Sequence, residues 1–398
     1  MGQKNGKELS TPTPPPPVVA VLGDDDLLRE IIVRLDFPTY LVRAALVCKR
    51  WLRHASDPAV LRHFRELHPP RLLGLYIVGA EFVPLPHPPE LDVLFRRALF
   101  QVRGTNVGVD VAHCRNGCIL TVVYDNYHSR PVGCVVWSPL RRTRGPLLPY
   151  PSKLQPFPPN DTSVEEYKIL PEDGHNCLSC TIVRIVRDGT EVFAQQIVLQ
   201  YGSRDVYRTS AIIEPRVRWQ KSYTHRSLLA NKMFYVLGIK GYILGLDLVS
   251  MRFLVIDLPD GVQQQQQRYL RNLELSMADG SGFYLVHLKD FQIHVWHHDT
   301  DSGNADGWQL VHTICACQAI GHLARPNWKF TWMSRVWVFR VGNNSELLLK
   351  VGCEVFYLHI RSRKVEKVLD LNLEDGVNVF LCPFTMVWPP NFPVLSEE

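Results

Sequence analysis

Residues 41–51 read LVRAALVCKRW, and this stretch decides how the first part of the chain folds. Its apolar residues recur at helical spacing and cover a wide face. The residues of this face are Leu41, Ala45, Leu46, Val47, Cys48, Trp51 and Leu52. A helix is therefore predicted from Thr39 to about Ala55, and Pro38 separates it from the segment before, because proline cannot continue a helix.

The preceding residues predict another helix. Asp24, Asp25 and Asp26 offer an N-cap, and their negative charge suits the positive end of a helix dipole. The apolar face of this helix comprises Leu27, Leu28, Ile31, Ile32 and Leu35. A third helical segment follows Asp57-Pro58 and ends before His68. Residues 21–70 are thus predicted to form a three-helix domain, and the proline-rich residues 1–20 a disordered leader.

After Arg71 the sequence pattern changes. Short runs that alternate between apolar and polar residues or are rich in β-branched residues predict strands, and Gly, Pro, Asn and Asp separate these runs. The predicted strands are 72–78, 117–124, 132–137, 181–186, 191–199, 232–237, 242–248, 253–258, 282–287, 292–296, 336–340, 347–351 and 355–360. No long amphipathic helix interrupts them. So many short antiparallel strands leave many sheet edges, and radial repetition is one way to protect those edges.

The β region also contains weak repeats. Over residues 234–259 an aromatic strand, a Leu-Asp-Leu strand and a strand ending in Leu-Pro follow one another, with echoes over residues 117–149 and 355–371. The spacing of about 40–50 residues is that of a four-stranded propeller blade. Residues 71–398 are therefore predicted to form a β-propeller-like domain of about six or seven blades. The predicted fold class is mainly β with a small α domain.

Composition excludes several classes of protein. The net charge of +5, from 44 basic and 39 acidic residues, is too small and too dispersed for a nucleic-acid footprint. No apolar run approaches the roughly 20 residues of a membrane helix, and the first residues lack a signal core. We therefore expect an intracellular protein, in the cytoplasm, the nucleus or both, with its ten cysteines mostly reduced.

Two clusters resemble metal sites. His175, Cys177 and Cys180 include a C-x-x-C pair, but zinc needs four ligands, so buried cysteines are the favoured interpretation. A strand followed by a polar turn accounts for the histidines from His294 to His298 and for Asp299. No phosphate-binding loop, nucleophile elbow or catalytic set is found. The sequence predicts no cofactor, no metal and no enzymatic activity.

The helical segments and the Val-Cys-Lys-Arg-Trp string at 47–51 resemble an F-box, over about 45 residues in all. The β region is similar, more loosely, to the propeller modules that follow the F-box in many plant F-box proteins, where Val-Trp-Ser-Pro-Leu (136–140) is a typical feature. The sequence departs from the F-box pattern at its start, where Leu22-Gly23 replaces the usual Leu-Pro.

The resemblance implies docking onto the adaptor subunit of SCF-type cullin–RING ubiquitin ligases, and through it onto cullin. The β domain would then hold a target protein that the sequence does not identify. The residues assigned to the joint core and adaptor face are Leu27, Leu28, Ile31, Ile32, Leu41, Val47, Cys48 and Trp51. Trp51 is the expected hot spot, because large aromatics dominate such interfaces. The alternative is that these residues form only an internal helical core.

Other functions stay open. The altered Leu-Pro opening would suit a scaffold that no longer engages the ligase. A propeller enzyme or lectin would need convergent acidic and His residues at the central channel, and the sequence aligns no such set. The aromatic cluster of Trp328, Phe330, Trp332 and Trp337 is expected to fill the core between blades rather than to anchor a ligand.

Overall fold

The chain divides into two compact units, one of residues 1–70 with 387–398 and one of residues 71–386. The computed structural model describes residues 21–35, 38–68, 72–77, 81–86, 92, 96, 107–115, 117–125, 130–139, 143–150, 162–170, 178–188, 191–202, 206–212, 226–237, 242–263, 272–278, 281–300, 307–323, 336–340, 346–360, 362–371 and 381–385. The predicted leader over residues 1–20 lies outside these ranges. None of the described helices is long and apolar enough to cross a membrane.

Among the described residues of the first unit, four helices have defined bounds, namely α1 (Asp25–Val33), α2 (Pro38–Ala45), α3 (Lys49–Ala55) and α4 (Pro58–Leu67). The carboxylate of Asp24 caps α1 by accepting from the amides of Asp26 at 2.9 Å and Leu27 at 3.1 Å. Asp57 caps α4 in the same way, and Pro58 occupies its first turn, where a missing N–H costs nothing. The acidic N-cap predicted for the first helix is therefore confirmed.

The stretch predicted as one helix from Thr39 to Ala55 is divided in two. Helix α2 ends at Ala45, and Cys48 adopts an extended backbone with φ −164° and ψ 170°. The division has a packing reason, since α2 and α3 contact each other and α3 also packs on α1. One straight helix of that length, about 25 Å, could not fold back on so small a core. Leu46 and Val47 thus lie in a turn between helices.

One small core holds the four helices together. Its buried members are Leu28, Ile32, Val33, Leu41, Ala45, Ala55, Val60 and Phe64. Trp51 and Leu52 are partly buried against it. A hydrogen bond of 2.8 Å between Nε2 of His68 and the carbonyl of Val33 joins the end of α4 to the end of α1.

The described part of the second unit is built mainly from strands, and its short helices include α5 (Asp260–Gln263) and α6 (Ala316–Ile320). The described strands are β1 (Leu72–Ile77), β2 (Glu81–Pro84), β3 (Val107–Arg115), β4 (Cys118–Asp125), β5 (Arg130–Ser138), β6 (Thr143–Arg144), β7 (Leu148–Pro149), β8 (Thr162–Ile169), β9 (Ser179–Asp188), β10 (Glu191–Gln200), β11 (Val206–Ile212), β12 (Ser227–Ala230), β13 (Met233–Leu237), β14 (Tyr242–Asp247), β15 (Phe253–Asp257), β16 (Leu273–Met277), β17 (Phe283–Lys289), β18 (Gln292–His298), β19 (Trp308–Cys315), β20 (Val336–Arg340), β21 (Glu346–Val351), β22 (Glu354–His359), β23 (Val365–Asp370) and β24 (Cys382–Thr385).

These strands form six antiparallel sheets, which are the six blades of a β-propeller. In chain order, blade 1 holds β3 to β7, blade 2 β8 to β11, blade 3 β12 to β15, blade 4 β16 to β19 and blade 5 β20 to β23. Blade 6 closes the ring, because β24 from the end of the unit pairs with β1 from its start, and β1 in turn pairs with β2. The predicted fold class and blade number are confirmed.

Apolar clusters between neighbouring blades form the core. Tyr167, Ile169 and Val183 of blade 2 pack on Phe234 and Leu244 of blade 3, for example. Equivalent clusters join blades 1 and 2, 3 and 4, 4 and 5, and 5 and 6. The first strand in the chain is innermost in blades 1 to 5, and β24 is innermost in blade 6, since β24 contacts β3, β3 contacts β8, and β16 contacts both β12 and β20.

Candidate functional site

The helical unit presents apolar side chains to solvent at several places, and two of these places include residues of the predicted adaptor face. On α1 the exposed residues are Leu27, at 45%, and Ile31, at 36%. In the turn between α2 and α3, Leu46 is 79% exposed and Val47 is 61% exposed. Large apolar side chains concentrated on one small helical unit are typical of a surface that a partner covers. We call these four residues the apolar surface.

The structure sorts the eight residues predicted for the core and adaptor face into two groups. Leu28, Ile32 and Leu41 are fully buried, so they support the unit from within. The exposed members are Leu27, Ile31, Val47 and Cys48. Trp51 falls between the two groups, because it is half-buried at the edge of the core. Contact of any of them with an adaptor stays a prediction.

Leu46 is the residue that the sequence prediction passed over. It was counted only as part of a helical face, yet it is the most exposed of the large apolar side chains named above. The signal for it was weak, because its exposure depends on the chain leaving the helix before Cys48. Tyr40, 42% exposed, and Val42, 38% exposed, add further apolar area on α2.

Arg50 fixes the start of α1 against α3. Its Nε donates to Oδ1 of Asp25 at 2.8 Å, and its two terminal nitrogens donate to the carbonyl oxygens of Leu22 at 2.7 Å and Gly23 at 2.8 Å. Nε2 of His54 lies 3.1 Å from the same Asp25 oxygen. These bonds, to Arg50 first and then to His54, hold the pKa of Asp25 below its usual range.

The propeller has its own candidate site, a cavity of about 410 Å³ at the centre of the ring. Residues from the innermost strands of all six blades line it, together with residues of β1 and β4. The charged side chains of this channel cavity are Asp110, Glu166, Lys168 and Glu274. Its size is in the range of sites that hold small molecules. The sequence could not align these residues, because they come from different blades.

Ion pairs fix three of those charged groups. Nζ of Lys168 lies 2.8 Å from Oε1 of Glu166, which also accepts a hydrogen bond from the hydroxyl of Tyr150. Although burial opposes the charge on Lys168, Glu166 raises the pKa of that ammonium group above its usual value. Arg226 lies 3.8 Å from Glu274.

Within the described ranges, no three His, Cys, Asp or Glu side chains lie close enough together to hold a metal ion. His175 and Cys177 lie outside those ranges. The other cysteine of that pair, Cys180, is fully buried between blades 1 and 2, in a cluster that also contains Cys134. His294, His297 and His298 lie on β18, so the predicted strand is present there. Trp328, Phe330 and Trp332 lie outside the described residues, as does the side chain of Trp337.

The four helices and the propeller each correspond to a known family model. A model described as F-box-like matches residues 25–66, and the chain is therefore an F-box protein whose F-box precedes a β-propeller. The second model, described as "F-box protein AT5G49610-like, beta-propeller", matches residues 110–392, well over half of the chain. The chain belongs to this family of F-box propeller proteins.

Likeness to solved structures is weak. Apo AztD from Citrobacter koseri is 12% identical, with 71% of this chain and 77% of that chain covered and a TM-score of 0.34. BBS1N, solved in complex with ARL6DN, is 12% identical over 69% and 68%, with a TM-score of 0.30. The WD40 domain of SCAP from fission yeast is 7% identical over 67% and 87%, with a TM-score of 0.29. No curated protein matches the chain.

Proposed function

We propose that this protein is a substrate-receptor subunit of an SCF-type cullin–RING ubiquitin ligase. Its F-box binds the adaptor subunit and, through it, cullin, and its propeller binds a target protein. The chain itself is not an enzyme in this proposal. It acts where the ligase acts, in the cytoplasm, the nucleus or both, and imaging of the tagged chain tests that location.

One observation carries the proposal, namely the exposure of Leu46 and Val47 within residues 25–66, the F-box-like segment. Exposing these two apolar side chains to water is unfavourable. Burying both in an interface would contribute about 2–4 kcal/mol to the free energy of binding. Leu27 and Ile31 extend the available apolar area on α1. A unit this small gains further stability when a partner covers such a surface.

The interior of the unit keeps this surface in place. The buried side chains of Leu28, Ile32 and Leu41 fix α1 and α2, and the hydrogen bonds of Arg50 fix the start of α1. A surface that is ordered before binding loses little conformational entropy when it binds. The altered opening at Leu22-Gly23 is compatible with this order, because both carbonyl oxygens accept hydrogen bonds from Arg50.

The mechanism is proximity. A receptor that holds a lysine-bearing target beside the conjugating enzyme raises the effective concentration of the two reacting groups. The receptor contributes binding and geometry and forms no covalent intermediate of its own.

Co-purification tests the proposal. The full chain, mixed with a purified Skp1-like adaptor and cullin, should elute with both in size-exclusion chromatography. In a mixture without the adaptor, the chain and cullin should elute separately. A wild-type chain that elutes alone would contradict the receptor role and favour a propeller scaffold outside the ligase.

A further inference from the structure

The channel cavity is a second candidate site, and it lies within the propeller unit. Its wall combines apolar and aromatic side chains, among them Ile77, Tyr124, Ile169 and Phe339, with a few charged groups. An apolar wall with a small number of placed polar groups is the usual composition of a small-molecule site. The charges decide which class of ligand it suits.

Most charged groups of the wall already have an opposite charge beside them. Lys168 pairs with Glu166 at 2.8 Å, and Nε of Arg184 lies 3.5 Å from Glu166, outside the cavity lining. Glu274 faces Arg226 at 3.8 Å. Both arginine side chains are only 8% exposed, so they neutralise the wall from behind.

His113 adds no charge to the cavity. The amide of Leu170 donates to its Nδ1 at 3.3 Å, and a nitrogen that accepts a hydrogen bond carries no proton. The imidazole is therefore neutral, with its proton on Nε2.

Asp110 is the exception among the lining charges. It lies on β3 and is exposed, and no hydrogen bond or ion pair joins it to any other described residue. Tyr124, half-buried on β4, lies close enough that the charges of both Asp110 and Lys168 act on its phenol, whose pKa is raised mainly by burial. A carboxylate that no described residue neutralises, at the edge of a largely apolar cavity, attracts a cation that can place its apolar body inside.

We infer that the channel cavity binds an organic cation, an ammonium group carried on an apolar body, with Asp110 as its counter-ion. Lys168 does not oppose this charge, because Glu166 is bound to it. The aromatic ring of Tyr124 offers a further favourable surface for a cation. The ammonium could come from a free small amine or from a lysine side chain of a bound protein.

Titration calorimetry of the full chain with three probes of one shape tests the inference. Phenethylamine carries the cation, 3-phenylpropionate an anion and 2-phenylethanol neither. We expect saturable binding of phenethylamine, at least about tenfold tighter than that of the other two. Nα-acetyl-lysine methylamide places the same ammonium on a peptide backbone, and its affinity relative to phenethylamine distinguishes a lysine side chain from a free amine as the source.

Substitutions at Asp110 complete the test. Asp110→Asn should abolish the preference for the amine, and Asp110→Glu should retain it. Asp257→Asn, an exposed position on the outer strand β15, is the matched control and should bind like wild type. Thermal unfolding shows whether each variant is folded. The inference is overturned if the anion binds as tightly as the amine, if folded Asp110→Asn binds like wild type, or if no amine binds below about 10 mM.

Discussion

Arg50 on α3 holds Asp25 on α1, with Nη2 of the guanidinium 2.6 Å from Oδ1 of the carboxylate. The pair joins the aspartates at 24–26, which predicted the start of the first helix, to the Val-Cys-Lys-Arg-Trp string, the most specific part of the F-box resemblance. Arg50 also binds two backbone carbonyls before the helix, so a single side chain orders the entry of the unit. The arginine of the string therefore has a structural role.

Replacing Arg50 by Met should loosen α1. The variant loses its charged hydrogen bonds to the carbonyls of Leu22 and Gly23, a cost on the order of 1–2 kcal/mol. Hydrogen exchange of the α1 amides should accelerate by about tenfold. Arg34→Met is the control, because Arg34 is 75% exposed and makes a surface pair with Glu30. Equal exchange in both variants would show that Arg50 does not fix the helix.

The ion pair between Asp25 and Arg50 should make the stability of the helical unit depend on pH. The pKa of Asp25 is lowered in the folded state from an ordinary value of 3.8, so the carboxylate binds its proton more weakly than in the unfolded chain. Its stabilising contribution is therefore complete above the ordinary value and is lost as the pH falls through the lower, folded value. Acid titration of α1 exchange should show this loss in wild type and a flatter profile in Asp25→Asn. Identical profiles would contradict the assignment.

Substitutions at two adjacent leucines should distinguish an effect on the stability of the helical unit from an effect on adaptor binding. Leu28 is fully buried, and Leu28→Ala should destabilise the helical unit by about 2–5 kcal/mol. Leu27 is 45% exposed, and Leu27→Ala should leave hydrogen exchange nearly unchanged while weakening adaptor binding. Measuring exchange and affinity on both variants checks this separation. Loss of stability in Leu27→Ala equal to that in Leu28→Ala would place Leu27 in the core instead.

The sequence predicted the middle strands of the blades and missed most inner and outer ones. Strands β4, β5, β9, β10, β13, β14, β17, β18, β21 and β22 were all predicted. These strands pack against neighbours on both faces, so they read as apolar runs. The inner strands β3, β8 and β16 place charged residues in the channel, so they do not form apolar runs. Strands as short as β6 contain too few residues to show a recognisable periodicity.

The repeats were also recognised from the buried middle strands. The repeat and its echo begin at different strands of their blades. The aromatic strand of the first repeat is β13, the second strand of blade 3. Its echo at 355–359 is β22, the third strand of blade 5. Second and third strands have similar buried environments, so their sequences resemble each other. The blade size could be predicted from them, but the position of each blade boundary could not.

His287 should make the propeller sensitive to mild acid. Burial first, and then the facing His294, lower its pKa to about 4. The neutral form is thus favoured by folding, and stability should fall as the pH drops from about 6.5 towards 4, by about 2 kcal/mol between pH 7 and pH 5. Urea unfolding at the two pH values measures this change. His287→Leu should flatten it, and His322→Leu, on an exposed turn, should not.

Ring closure depends on the aromatic contacts of Phe384. This fully buried residue of β24 packs edge-on against Tyr76 and Phe82, each with a centroid distance of 5.9 Å. Phe384→Ala should cost about 3–5 kcal/mol and lower the melting temperature of the propeller. Leu310→Ala, 45% exposed on the outer strand β19, should change it little. An unchanged melting temperature in Phe384→Ala would show that closure does not rely on this cluster.

The candidate site was predictable in part. Periodicity selects apolar positions on α1 and α2 but does not separate Leu27 from Leu28, because both lie on its wide face. The separation depends on how four helices share one core, which the spacing of apolar residues in a single sequence does not specify. The break before Cys48 also determines the exposure of Leu46 and Val47, and no proline or glycine marks it.

The most direct test of the receptor role compares two valines of equal exposure. Val47 in the F-box is 61% exposed, and Val249 in a propeller turn is 60% exposed. The affinity of the full chain for the Skp1-like adaptor should fall by about tenfold or more in Val47→Asp, because a charge would be buried at a central contact. It should be unchanged in Val249→Asp. Equal affinity of the wild-type chain and a folded Val47→Asp variant would contradict docking through the apolar surface.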